Sequence, residues 1–297
     1  MIPNSHLIGI GITTKDRWDD LAITLHRLRE EGLDALETVV VDDGSSVPLS
    51  SEFEQKFPWV KFSRSESSQG LIAQRNRIAR LLSTPYILGL DDDSFPVAGN
   101  LDAAAKWLTQ HPAVVALALA VVFKGETVPE AFLTKAPFPV RDYIGCANLV
   151  NRETFLAMGG YEERFEFFTE EAEFCLRAIQ QGYEIYAYPA VVVQHNVTPV
   201  GRNLVRRGRQ FIRNEMLVAL WFFPFPECYL RAVRALPGIL IKNREWRKYW
   251  RSLVQGYFEA FYCFATWPKQ KERLTMEQFR DWKMLPMATD VVMGSRG

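Results

Sequence analysis

The sequence predicts an α/β protein: a mixed, mostly parallel sheet flanked by helices, followed by a helical C-terminal extension. Three observations predict it. Strand-like apolar runs alternate with helix-periodic stretches through the first half of the chain, the order that builds parallel βαβ units. The apolar run Tyr86-Ile87-Leu88-Gly89-Leu90 ends abruptly in Asp91-Asp92-Asp93, placing three carboxylates at the carboxyl end of a buried strand. Beyond about residue 202 the strand pattern stops and helices rich in Arg, Trp, Tyr and Phe take over. With 297 residues, 48% apolar and 24% charged, the chain is long enough for a large core and has the balance of a globular protein.

The elements follow in order. Residues 7–12 are apolar and β-branched, a first strand; 19–31 carry Leu21, Leu25 and Leu28 at helical spacing. Residues 37–41 form a second strand, closed by Asp42-Asp43-Gly44-Ser45-Ser46, and 60–64 a short third one. Residues 71–82 read as a helix stopped by Thr84-Pro85, after which comes the strand that ends in the aspartates. A helix over 100–110 precedes a long buried strand over 112–123, then a looser proline-containing stretch over 125–142. Residues 144–151 read as a strand, 169–181 as a helix ended by Gly182, and 184–194 as a strand leading into His195. The division expected is an α/β domain over 1–215 and a helical extension over 216–297, with the change of pattern near 199–216.

Net charge is zero but unevenly spread: residues 200–297 hold 18 Lys+Arg against 8 Asp+Glu, a balance of +10, and 1–199 the opposite. A basic part either meets anions such as a nucleotide or a lipid headgroup, or complements the acidic part. Nucleic acid is not expected as a partner, since no continuous basic stripe runs through the acidic part. Four scattered cysteines without a CxxC pair suit reduced thiols, hence a cytoplasmic protein. The N-terminus carries no basic-then-apolar leader, and the longest apolar runs fall short of the roughly 20 residues that span a bilayer.

Polar clusters stand at the predicted strand ends: Thr13-Thr14-Lys15-Asp16-Arg17, Asp42-Asp43-Gly44-Ser45-Ser46, Asp91-Asp92-Asp93 and His195. Gly70, Arg75 and Asn76 lie at one helix start and Glu170-Glu171 at another. A parallel sheet brings its strand ends to one edge, where open α/β sheets bind ligands. Adjacent carboxylates there are tolerable in water or beside a divalent cation.

Five segments in this order resemble the inverting family-2 glycosyltransferases of GT-A fold: Val40-Val41-Asp42-Asp43-Gly44-Ser45, Gly70 with Arg75-Asn76, Leu90-Asp91-Asp92-Asp93, Met158-Gly159-Gly160-Tyr161-Glu162-Glu163, and residues 165–177. The resemblance covers about residues 7–215. It implies transfer of a sugar from a UDP- or dTDP-sugar donor to a hydroxyl acceptor, a glycan or lipid-linked sugar or small molecule, assisted by Mg²⁺ or Mn²⁺. It implies that Thr13, Asp16 and Arg17 line the base and ribose pocket with Asp42, Asp43 and Gly44, Asp42 accepting from a pyrimidine N–H. Arg75 would hold base or diphosphate, as a guanidinium suits phosphate. Asp91 and Asp92 would contact the donor, and Asp93, with Asp91 and His195, would hold the cation. Glu171 would deprotonate the acceptor and Glu170 bind or orient beside it. Many relatives carry Glu-Asp at this pair, where this chain has Glu-Glu.

Thr198 is a further candidate phosphate contact, and residues 202–213, with Arg206, Arg207, Arg209 and Arg213, a candidate loop closing over the diphosphate. In the extension, Trp246, Tyr249 and Trp250 interleave with Arg244, Arg247, Lys248 and Arg251. That mixture suits either the surface of a membrane or packing on the sheet or on a second subunit. Two other functions compete. A sugar-1-phosphate nucleotidyltransferase would place a glycine-rich phosphate loop after the first strand, where this chain has Thr13 to Arg17. A catalytically silent nucleotide-sugar-binding module would bind donor without turnover.

Overall fold

A computed structural model describes residues 6–197, 204–242, 246–267 and 272–292. The N-terminal half runs β1 (Ile8–Thr14), α1 (Trp18–Glu30), β2 (Glu37–Asp42), α2 (Ser51–Lys56), β3 (Val60–Arg64), α3 (Leu71–Leu81), β4 (Tyr86–Asp91), β5 (Ser94–Ala98), α4 (Leu101–Gln110) and β6 (Val114–Phe123). Then come α5 (Glu130–Thr134), β7 (Phe138–Val140), β8 (Asn148–Asn151), α6 (Arg152–Ala157), α7 (Glu170–Gln180) and β9 (Glu184–His195). The C-terminal helices are α8 (Leu204–Phe222), α9 (Glu227–Lys242), α10 (Trp250–Thr266), α11 (Met276–Met284) and α12 (Ala288–Val291).

The strands make one mixed sheet in the order β3-β2-β1-β4-β8-β6-β9-β5, with β7 on β9. The stretch β3-β2-β1-β4 is parallel, as the alternating pattern predicts, and β6 and β9 are again parallel. β8 runs antiparallel between β4 and β6. Parallel register sets the end residues side by side: Thr14 pairs with Asp42, and Thr13 with Asp91. The central strands are buried on both faces: all seven residues of β1 and nine of the ten in β6 are buried, which is why they read as unbroken apolar runs. One core lies under α1 and α4, the other under α3, α7 and the C-terminal helices.

The structure departs from the sequence reading in several places. The strand expected over 144–151 is only Asn148–Asn151. Ile144 to Ala147 instead form a tight bridge, because Asn148 Nδ2 donates to the carbonyls of Ile144 and Gly145 (both 2.9 Å). The stretch over 125–142 is not structureless: it contains α5 and β7, too short to show periodicity. β5, which carries Pro96, and the six-residue α6 also escape pattern reading. Residues 204–213 are not a loop but the first turns of α8. Arg206 there pairs with Glu166 (2.7 Å), and Arg209 and Arg213 pair with Glu259 of α10 (2.5 and 3.3 Å). Thr198 and Arg202 lie outside the described residues.

Position 215/216 falls within α8, whose buried residues share a core with the sheet. α10 packs closely on α8 at Gly256, where any Cβ would meet the carbonyl of Arg209. The chain returns from α11 to the sheet: Val121 donates to the carbonyl of Val292 (2.7 Å) and Arg141 to that of Pro286 (3.1 Å). Among the described residues no helix is long and apolar enough to cross a membrane.

Candidate active site

The aspartate triplet forms the turn from β4 into β5; Asp92 and Asp93 share Arg17, whereas Asp91 faces Arg75. Asp92 is buried: Thr14 Oγ1 donates to its Oδ2 (2.8 Å), Arg17 Nη1 lies 2.9 Å from Oδ1, and Thr24 caps its carbonyl (2.8 Å). Burial pushes its carboxyl up to about 7 against the pull of Arg17. Asp92 thus pins the turn to β1 and α1, a role the sequence does not reveal. Asp93 is paired with Arg17 Nη2 (2.7 Å). Burial would raise it, but His195 and Arg17 outweigh burial and hold it below the usual carboxylate range. Arg17 also meets Asp20 (2.9 Å), so it ties the acidic turn to the start of α1.

At the ends of β1 and β2 a compact loop pair forms. Asp42 Oδ1 accepts from Ser45 N and Oγ (2.9 and 2.5 Å), while buried Oδ2 has no hydrogen-bond partner, with Arg64 Nη1 at 3.2 Å. Asp16 sits at φ 54° and clasps the same loop: its N–H donates to Ser45 Oγ (2.8 Å) and its Oδ1 accepts from Ser46 N (2.6 Å). Asp43 turns the other way. Its carboxylate accepts from Gln69 N, Gly70 N, Ser68 Oγ and Gln74 Nε2 (2.6–3.2 Å), fastening the start of α3. Gly44, at φ 69°, passes so close to Ser67 and Ser68 that a side chain would collide. Thr13 is buried between Val41 and Asp91 in the sheet.

Arg75, on α3, joins the two halves of the site. Its Nη2 lies 2.9 Å from Asp91 Oδ1, and its Nη1 lies 2.8 Å from Glu170 and 2.9 Å from Glu171. Three carboxylates more than offset its burial and raise its pKa further, so it stays charged. Glu170 and Glu171 open α7, where the helix dipole favours anions. They differ in exposure: the Glu170 side chain is 2% exposed and Glu171 18%. Burial, and then Glu171 beside it, drive Glu170 well above the usual carboxylate range. Gly145 makes this grip fit: a Cβ there would overlap Glu171 Oε1 and lie 2.6 Å from Arg75 Nη1.

His195 ends β9, opposite Ser94 and Phe123. Its Nε2 is 3.0 Å from buried Asp93 Oδ1, an ion pair when the imidazole is protonated. Its Nδ1 is 3.5 Å from Cys146 Sγ. Burial lowers the imidazole pKa, but Asp93 and then Cys146 outweigh it and raise it to about 10. Donor atoms of Asp91, Cys146 and His195 lie within 4.8 Å of one another. The convergent O, N and S set fits a divalent cation. Cys146 went unnoticed in the sequence, where a single cysteine in an apolar segment carries no signal.

The loop leading into α7 carries positive φ at Glu166, Phe168 and Thr169 (62°, 68° and 72°). It is held from α8. Asn214 Nδ2 donates to the carbonyls of Phe165, Phe167 and Phe168 (3.1, 2.9 and 3.0 Å), and Arg213 Nη2 to that of Phe165 (3.0 Å). Asn76 braces the other approach by a pair of hydrogen bonds with the backbone of Tyr161 (2.8 and 2.9 Å). Sequence reading missed Asn214, because it stands in an ordinary helix nearly 50 residues away.

Sheet order, acidic turn and glutamate-led helix together define a GT-A fold. The model of the family described as "Glycosyl transferase family 2" matches residues 10–170, just over half of the chain, and the chain belongs to that family. Solved structures similar in fold include GalNAc-T7 with UDP, GalNAc and Mn²⁺ (17% identity, 90% of this chain and 59% of that chain, TM-score 0.63). Others are residues 1–349 of S. aureus TarS (15%, 86% and 80%, 0.58) and the mannosyltransferase PcManGT from Pyrobaculum calidifontis with GDP-Man and Mn²⁺ (17%, 93% and 78%, 0.56). The chain thus spans 59% of the length of the GalNAc-T7 chain. No curated protein matches it at the level of sequence.

Proposed function

We propose that the protein is an inverting, metal-assisted glycosyltransferase that moves a sugar from a UDP- or dTDP-sugar to a hydroxyl acceptor. The observation that carries this reading is the Arg75 bridge, which ties Asp91 at the donor end of β4 to Glu170 and Glu171 at the start of α7. Asp42 Oδ2, which has Arg64 Nη1 at 3.2 Å and makes no hydrogen bond, would accept from a pyrimidine N–H. Asp16 and Thr13 complete the nucleoside side, with Asp43 and Gly44 shaping the loop. Arg17 fixes the acidic turn and Arg75 faces the diphosphate.

Asp91, Asp93 and His195 would hold Mg²⁺ or Mn²⁺, which offsets charge on the departing nucleoside diphosphate. The chain's own groups do the rest. Glu171, the more exposed glutamate, accepts the acceptor hydroxyl proton as its oxygen attacks the anomeric carbon. Glu170, buried and paired with Arg75, orients its neighbour. The nucleoside diphosphate leaves from the opposite face, so the anomeric configuration inverts.

Thermal stabilisation by UDP, dTDP and GDP, with and without Mn²⁺, tests the donor, since a ligand of the native state raises Tm by mass action. UDP or dTDP should stabilise and GDP should not. Glu171→Gln should keep that stabilisation and lose nucleoside diphosphate release in the presence of acceptor. Full activity in Glu171→Gln would overturn the base assignment, and a preference for GDP the base-pocket reading.

A further inference from the structure

The C-terminal helices carry apolar side chains that the sheet does not cover. On α9, Tyr229, Val233, Pro237 and Ile241 recur every four residues and so form one ridge, all exposed; Val233 is 66% and Ile241 71% exposed. Leu230 lies beside it, exposed as well. The opposite face of α9 buries Cys228, Ala232 and Ala235, so the helix is anchored and its outer ridge is left over. α10 repeats the design. Leu253, Gly256, Ala260 and Cys263 face inward, while Trp250, Phe258, Phe261 and Tyr262 are exposed, Phe258 at 66% and Tyr262 at 69%. Both helices pack on α8.

The sequence of this segment is predominantly basic. Residues 227–267 contain seven Lys and Arg against three Glu, a net of +4. Arg231, Arg234, Arg247, Lys248 and Arg251 are all exposed, and Arg231 is paired with Glu215 (3.1 Å). Of the three acidic residues, Glu259 is already engaged by Arg209 and Arg213. Arg251 lies over the ring of Trp250, its guanidinium carbon 5.5 Å from the ring centroid. A second copy docking through a two-fold axis would set this cationic margin against itself. An anionic bilayer meets both features at once. Rings and aliphatic side chains enter the boundary between headgroups and acyl chains, and guanidinium groups meet the lipid phosphates.

From this we infer that α9 and α10 form a peripheral docking surface for anionic phospholipid. The surface sits outside the donor site and goes beyond the proposed reaction, but it would hold the enzyme where a lipid-linked acceptor is presented.

The test is co-sedimentation of the full chain with vesicles of phosphatidylcholine alone or mixed with phosphatidylglycerol. Binding is expected to the mixed vesicles, to weaken as salt is raised, and to be slight with phosphatidylcholine alone. Val233→Asp and Phe258→Asp lie on the outer faces and should keep the wild-type Tm and the stabilisation by nucleotide, yet bind mixed vesicles at least about tenfold less. Arg234→Gln and Arg251→Gln should each cost about fivefold. Failure to sediment with the mixed vesicles overturns the inference, and so does binding that none of these substitutions weakens. A dimer that Val233→Asp or Phe258→Asp dissociates also overturns it, because a second copy would then cover the ridge. None of these failures touches the donor-site reading, which the nucleotide stabilisation reports separately.

Discussion

Removing the amide of Asn214 should loosen the loop that sets the glutamate pair while leaving the nucleotide side intact. Asn214 is fully buried, and its single NH₂ group serves three carbonyls in a loop with three residues at positive φ. Two protons shared among three acceptors are worth about 2 kcal/mol at roughly 1 kcal/mol per net hydrogen bond, and carbonyls left buried and unpaired add about 1 kcal/mol or more. Asn214→Ala should therefore cost about 2–4 kcal/mol. At roughly 2–4 °C per kcal/mol in a chain of this size, Tm should fall by about 4–16 °C. Asn214→Asp is the sharper variant: it keeps the shape but turns a donor into an acceptor facing three carbonyl oxygens, and should be worse than alanine. Thermal unfolding measures the cost, and amide hydrogen exchange locates it. Residues 165–170 should lose protection while β1, β2 and β4 keep theirs. A misplacement of the glutamates by about 1 Å is enough to lower turnover roughly a hundredfold. Unchanged protection of residues 165–170 in both variants, or Asn214→Asp as stable as wild type, would refute the reasoning.

Asp142 accepts from Ala288 N (2.7 Å), and burial pushes its carboxyl up to about 6. A carboxyl raised in the folded state stabilises the fold at low pH and loses that contribution as pH climbs from about 4 to 6, a difference of up to about 3 kcal/mol. Asp142→Asn keeps an acceptor oxygen and should remove this decline, making the variant more stable than wild type at pH 7.5; parallel Tm–pH curves for the two would contradict it. Gly145→Ala should push apart Glu171 and Arg75, because the added Cβ would overlap the ends of both and break the grip of Arg75 on its three carboxylates. We expect about 1–3 kcal/mol of destabilisation with loss of turnover, and wild-type kinetics would contradict that. If Cys146 Sγ joins Asp91 and His195 around a bound cation, Co²⁺ should give a near-ultraviolet thiolate charge-transfer band that Cys146→Ser abolishes. A band that survives in the variant, or Co²⁺ binding without one, removes sulfur from the ligand set.

The strands and their ends were legible in the sequence because buried parallel strands read as unbroken apolar runs, and polar clusters at their carboxyl ends break those runs sharply. Thus Asp42, Asp91 and His195 could be set on one sheet edge from the pattern alone. The partners of these residues could not be read, because a hydrogen-bonding pair leaves no mark on spacing. Asp92 looks like its neighbours in sequence, yet Thr14, Thr24 and Arg17 make it the pin of the turn. Arg17 is the counter-ion of Asp92 and Asp93 in the acidic turn, a pairing its place in the sequence does not reveal.

By itself the sequence determined the α/β order, the parallel half of the sheet and the residues offered at its edge, since local periodicity and burial fix those. Only the tertiary structure decided which carboxylates share Arg75, that Cys146 stands beside His195, and that α8 grips the loop before Glu170. It also decided that the aromatic helices at the C-terminus keep an outer ridge uncovered. Each of those depends on contacts between segments tens of residues apart, whose geometry is set by how the layers pack and not by any stretch of chain alone.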